Sequence, residues 1–392
     1  MPTTRIDLTA PDVVADPYPH FAEERRHHPV AWHEASGSWL TFDHASADAV
    51  LRNRRLGRIW VDREPAERFA PFNLLHRNQM MENEPPDHTR LRRLVAGAFA
   101  RGHVERLRPR VRALAAGLLD EVDPRRFDVI GEYAEPLPVL VIAELLGVPT
   151  GLAPQLRAWS QAIVRMYEVA PTAADEEAAI AAAAAFADMV RELADDRSVH
   201  PRDDLVSDLV AARTPAGPGG GARLSEDEVV ASAVLLLNAG HEASVNVFGN
   251  GFVAMLERGR RPEPGEEASC VEEMLRFDSA LQLFERTAAT DVRLGDVVVE
   301  AGQKVAALLG AANRDPAVFA DPDTFDPARD PNPHLAFGAG LHFCLGAPLA
   351  RMELAESLGL LLARHPGLRL VDEPTARGTF VLRGYTAVPV GT

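Results

Sequence analysis

Residues 337–346 read Phe337-Gly338-Ala339-Gly340-Leu341-His342-Phe343-Cys344-Leu345-Gly346, one cysteine carried in a glycine-rich loop. Gly338, Gly340 and Gly346 reach backbone conformations closed to other residues, so the main chain can fold tightly around one sulfur and turn N–H groups toward it. Good helix formers follow from Ala347 to Leu362, with Pro348 in the first turn, which sets a positive helix end beside Cys344. Such surroundings predict a thiol of lowered pKa. No second cysteine, His-x-x-His or Cys-x-x-Cys stands nearby, so zinc is not indicated. A lone soft thiolate suits a single axial bond to haem iron.

The pattern Phe-Gly-x-Gly-x-His-x-Cys-x-Gly resembles the haem-ligand signature of the cytochrome P450 family, and three further motifs follow that family's order and spacing. The resemblance covers nearly the whole chain. It implies a mainly α fold with small β-sheets, the cytochrome P450 fold, with a long central helix crossing over the haem and residues 1–392 forming one domain. It also implies haem b (iron protoporphyrin IX) as cofactor, with Cys344 as the iron ligand.

Composition agrees with an ordinary globular protein: 392 residues, 46% hydrophobic and 25% charged, enough for a large core. The formal net charge of −16 and the lack of a basic tract exclude nucleic acid as an expected partner. Met1 to Asp16 shows neither an apolar run nor a cleavage pattern, and the apolar stretches Ala178 to Ala187 and Val229 to Leu237 fall short of a membrane span. A cytoplasmic protein without membrane attachment is expected. Cys270 and Cys344 are the two cysteines, so no disulfide framework is implied.

Along the chain, periodicity predicts a helix near Phe21 to His28, strands Val30 to His33 and Ser38 to Phe42, and another helix before Val50. Arg54 to Asn83 has no sustained period and reads as a long loop. Helices are predicted over Val104–Val122, Ile130–Leu146, Pro154–Val169 and Ala174–Asp195, and a flexible surface loop over Thr214–Ala222. Ser225-Glu226-Asp227-Glu228 forms a capping box that opens a helix running to about Glu257, roughly 48 Å at 1.5 Å per residue.

In Glu84-Pro85-Pro86-Asp87-His88-Thr89-Arg90-Leu91-Arg92-Arg93, His88 and Arg92 stand four apart and share a helix face, where they can reach one carboxylate. The segment resembles the P450 helix that holds the haem propionates. Arg286 resembles the family's strand arginine, and with His342 the resemblance gives four basic groups for the propionates. Ala239-Gly240-His241-Glu242-Ala243-Ser244, at the middle of the long helix, resembles the oxygen-activation motif, small-Gly-x-acid-Thr. Glu242 is costly to bury unless hydrated or paired, which leaves it as a proton conduit or as a helix salt bridge. Ala243 stands where the family has threonine, and Ser244 lies about 100° further round the helix, unable to take its place. A substrate hydroxyl with ordered water is one replacement; chemistry with less demand for that hydroxyl is the other.

Glu273-Met274-Leu275-Arg276 matches the family's Glu-x-x-Arg, which with Arg329 implies a structural triad. The resemblance further implies a substrate pocket near Met80, Ile163, Met166, Tyr167, Asn238, Ala239, Leu283, Phe284 and Phe380, although helix packing equally accounts for Ile163, Met166 and Tyr167. It implies a monooxygenase that inserts oxygen from O2 into a small organic substrate, such as a secondary metabolite. The alternative is oxidative coupling, forming C–C, C–O or C–N bonds between aromatic groups of a small peptide or related metabolite. No flavin or nicotinamide fingerprint occurs in the chain, so electrons are expected from a separate ferredoxin and ferredoxin reductase. Arg90, Arg93, Arg101 and Arg351 are the candidate docking cations.

Overall fold

The computed structural model describes residues 1–213 and 223–392; the expected loop Thr214–Ala222 lies outside the described residues. The capping box forms as the sequence predicts. Ser225 accepts from the Glu228 N–H, Glu228 reaches back to the Ser225 N–H, and the helix runs Glu226–Glu257 without a break. Because this helix is apolar around nearly its whole girth, it must be buried on all sides, and it forms the axis of the molecule. Helices Ala70–Arg77, Pro136–Leu146, Ala153–Val164, Ala173–Val199 and Glu267–Phe277 pack around it.

A six-stranded sheet lies to one side, in the order Thr3–Thr4, Val30–His33, Ser38–Thr41, Lys304–Leu308, Leu283–Ala288, Leu56–Gly57. Leu283–Ala288 runs antiparallel to Lys304–Leu308, pairing Phe284 with Ala307 and Arg286 with Val305. This register places Phe284 and Arg286 on one face of the strand, since side chains alternate.

Several boundaries differ from the sequence reading. Arg54–Asn83 is not all loop: Ala70–Arg77 is helical, opened by Pro71 and held by buried Phe69, Phe72 and Leu75. Their spacing of three was the available signal. His76 stacks against both Phe72 and Trp60, with ring centroids at 4.0 and 4.7 Å. Ile130–Leu146 is a wide turn, Ile130–Ala134, followed by the helix Pro136–Leu146, because prolines at 136 and 138 suit only a helix start. Leu205–Ala211 is a short helix that periodicity alone did not reveal.

The triad is realised. Arg276 donates to both oxygens of Glu273 at 2.7 and 2.8 Å, and Arg329 Nε reaches the same carboxylate at 3.2 Å. Glu273 and Arg276 are fully buried, and Arg276 also donates to the carbonyls of Asn313, Pro322 and Thr324. This knot ties the helix Glu267–Phe277 to the turns that lead into the cysteine loop.

Candidate active site

Cys344 sits in a loop shaped by two glycines in the left-handed region, Gly338 at φ 67° and Gly340 at φ 70°. A Cβ on Gly340 would come within 2.6 Å of the Leu51 carbonyl, so only glycine lets this loop lie against the helix His44–Arg52. The Cys344 N–H closes the loop on Phe337 O at 3.0 Å, and the helix Ala347–Arg364 begins three residues on. The N–H groups of Gly346 and Ala347 point at the sulfur, as the sequence implies.

The thiol's pKa, however, moves up, not down. Burial is the larger effect and outweighs the two N–H groups together with Arg92 and Arg351. Sequence counts donors; it does not show that water is excluded.

The four basic groups converge. His88 and His342 stack edge to face, with ring centroids 4.6 Å apart, and Arg92 donates to the Phe343 carbonyl at 2.8 Å. His88 is buried with both ring nitrogens lacking a partner among the described residues, and burial pulls its pKa down to about 4. Arg286 is buried beside Arg58, has no carboxylate within salt-bridge distance among the described residues, and is pulled down to about 10 by that burial. Buried imidazole and guanidinium groups left short of acceptors are costly, and two carboxylates would satisfy them. Two acids escaped the sequence reading here. Glu84 accepts from the Arg58 N–H at 2.7 Å and meets His342 Nε2 at 2.8 Å, and Glu82 pairs with the Arg58 side chain. Glu84 stood next to the proline pair in the quoted stretch, but its partners lie far away in sequence.

On the long helix, every residue from Val229 to Met255 is buried except Ala239, Gly240 and Ala243. These three fall within about 100° of one face, the least covered part of the helix's middle, where a Cβ at Gly240 would meet Ile142 at 3.6 Å. Glu242 points elsewhere. It is 2% exposed, and its Oε2 accepts from Arg377 at 2.9 Å, so its partner is a residue of the C-terminal segment and not one on its own helix. Burial still raises its pKa, with Arg377 opposing. Ser244 donates its hydroxyl to the Gly240 carbonyl at 3.2 Å and stays out of the open face.

The expected pocket residues divide. Ala239 is exposed, Met80, Leu283 and Phe284 are half-buried, and Asn238 is buried with Oδ1 unpartnered among the described residues. Ile163 and Met166 are sealed in the core at 0% and 2% exposure, so they pack helices and line no open space. Phe380 likewise packs on Phe21 with centroids 6.3 Å apart, because Glu168 accepts from the N–H groups of Phe380, Val381 and Leu382 and fixes that turn. Tyr167 hydrogen-bonds His76 Nε2 at 2.9 Å.

The candidate docking cations also divide. Arg90 is engaged by Glu228 of the long helix and by Asp87 on its own helix, and Arg351 by Glu272 of Glu267–Phe277. Arg93 and Arg101 remain exposed, close in sequence to Arg92, which binds the carbonyl of exposed Phe343.

A family model for cytochrome P450 matches residues 268–368, which include the triad glutamate and the cysteine loop. Over its length the chain is 38% identical to the nocardicin C N-oxygenase of Nocardia uniformis subsp. tsuyamanensis, covering 96% of each protein. It is 36% identical to the 6-deoxyerythronolide B hydroxylase of Saccharopolyspora erythraea, covering 99% of both. The chain belongs to the cytochrome P450 family. The fold of this P450 superposes with a TM-score of 0.91 on P450BioI, solved in complex with an acyl carrier protein ligated to hexadec-9Z-enoic acid; the two are 32% identical, over 97% of this chain and 99% of that one. This P450 is therefore an oxidoreductase of the monooxygenase type with haem b as cofactor. No helix among the described residues is long and apolar enough to cross a membrane.

Proposed function

We propose that this P450 oxygenates a small organic substrate held against Ala239, Gly240 and Ala243, with Cys344 as the thiolate ligand of the haem iron and Glu242 as the proton donor. The observation that carries the reading is the open face of the long helix: Ala239 exposed and Gly240 and Ala243 half-buried, at the centre of a stretch, Val229 to Met255, otherwise buried throughout. When bound, thiolate-ligated haem activates dioxygen, so that one atom enters the substrate and the other leaves as water at a cost of two electrons and two protons.

The chain's own residues supply the rest. His88, Arg92, Arg286 and His342 would hold the two propionates, which would satisfy the unpartnered His88 nitrogens and the Arg286 guanidinium that burial disfavours. Small side chains at 239, 240 and 243 leave room for substrate close to the backbone, while half-buried Phe284, on the strand face it shares with Arg286, supplies apolar contact. Because position 243 brings no hydroxyl and Ser244 is bound to Gly240 O, the hydrogen bond that orders water at the open face comes from the substrate or from water alone. Electrons arrive from a separate ferredoxin and its reductase, with Arg93, Arg101 and exposed Phe343 offering the docking surface.

The test is to screen small organic compounds and short peptides for a shift of the haem absorption band, then to weigh the product. A gain of one oxygen supports the reading. A product lighter by two hydrogens establishes the coupling chemistry that Ala243 leaves open.

A further inference from the structure

Asn238, Glu242, Asn246 and Asn250 follow one another at intervals of four, so they form a polar row that winds slowly, about 40° per step, along the long helix. Glu242, Asn246 and Asn250 are 2%, 1% and 1% exposed. Among the described residues Asn238 Oδ1, Glu242 Oε1, both polar atoms of the Asn246 amide and Asn250 Oδ1 have no hydrogen-bond partner. Buried polar atoms are almost always satisfied, and where protein supplies no partner, bound water does. Asn250 lines a surface cleft of about 400 Å³ whose walls include Ala15, Ala376, Gly378, Arg383 and Gly384. Gly384, on the cleft wall, lies directly against Asn246: a Cβ at 384 would lie 2.1 Å from Asn246 Oδ1. Arg377, between cleft residues Ala376 and Gly378, reaches inward to Glu242, and its own Nε is buried without a partner among the described residues.

We propose that this cleft is a solvent port, and that water held by Asn250, Asn246 and Arg377 returns protons from bulk solvent to the Glu242 carboxylate. The inference rests on the reading of Glu242 as the proton donor. In each delivery the Glu242 carboxyl gives one proton toward the oxygen being reduced and takes one back from the row, while the electrons come from the redox partner. From Glu242 to Asn250 is eight residues, about 12 Å along the helix, a span that three or four waters bridge. Asn246 and Arg377 are positioning residues: the amide orients water, and the guanidinium holds the carboxylate against the row. The other charged or titratable groups that face Glu242 are His241, Arg157, Arg165 and Glu135. Burial pulls His241 down to about 3, so it stays neutral, and Glu135 is itself held by Arg157 and Gln161.

The experiment measures hydrogen–deuterium exchange of the Glu242 carboxyl by its infrared band, assigned through Glu242→Gln, alongside product formed per electron consumed. Asn246→Leu should bind haem normally, slow the exchange at least tenfold and lower the product per electron. Asn246→Ser, which keeps a group able to hold water, should restore both. If Asn246→Leu does not fold, Gly384→Ala serves instead: its methyl displaces the Asn246 amide, and adding Asn246→Ser should relieve the effect. Wild-type exchange in Asn246→Leu, or in Gly384→Ala, would overturn the port while leaving Glu242 as donor if Glu242→Gln remains impaired. A Glu242→Gln variant with normal product per electron would overturn the donor reading itself.

Discussion

Glu242 and Arg377, 135 residues apart in sequence, are joined by a buried 2.9 Å ion pair beside the open face of the long helix. A carboxylate placed there keeps its burial penalty in part, since its second oxygen has no partner among the described residues and its pKa stays above the ordinary value. An acid with one oxygen left free of protein partners gives up and regains a proton more readily than one locked in a bidentate bridge.

Glu242→Gln should therefore leave haem content and substrate-induced spectral shifts intact while lowering product per electron consumed by an order of magnitude or more. Ala243→Thr should bind haem but disturb turnover of the native substrate less severely, because the new hydroxyl competes for water and crowds the open face. Electron consumption and product measured together decide it; unchanged values in both variants would remove this stretch of helix from the proton route.

Cys344→Ala should abolish the thiolate-type Soret band of the reduced carbon monoxide complex. Cys270, the other cysteine, is buried within the helix Glu267–Phe277, with burial raising its thiol to about 12, and it offers no substitute. Persistence of that band in the variant would move the ligand elsewhere.

Glu273→Ala should destabilise the fold rather than retune selectivity. The carboxylate accepts from Arg276, Arg329, Asn332 and the Asp326 N–H, so its loss leaves a fully buried guanidinium unpaired, a cost on the order of 3–5 kcal/mol. Chemical denaturation and haem retention read this directly. A stable, fully haem-loaded variant with altered product selectivity would contradict it.

Stability should fall with rising pH because of Glu353, in the helix after the cysteine loop, whose carboxyl is buried and pushed up to about 8 by loss of water. The folded state holds this proton between the ordinary carboxylate range and about pH 8 while the unfolded chain has released it, so folding loses ~1.4 kcal/mol per pH unit across that window. Glu353→Gln should flatten this slope and make the protein more stable than wild type at pH 9. Denaturation midpoints from pH 5 to pH 9 test it, and parallel curves for the two proteins would refute it.

Sequence alone determined the features whose causes are local. The glycine spacing around Cys344 demanded a tight loop, the Ser225–Glu228 box began a helix that the structure follows to Glu257, and Glu273 with Arg276 needed only one turn of helix to meet. Tertiary structure decided what depends on burial and on neighbours distant in the chain. It gave Glu242 the partner Arg377, gave His342 the acid Glu84, and sealed into the core Ile163, Met166 and Phe380, all three expected at the pocket. It also reversed the expected shift at Cys344, because donors can be counted along a chain, whereas the exclusion of water that outweighs them arises only when separate segments close over the sulfur.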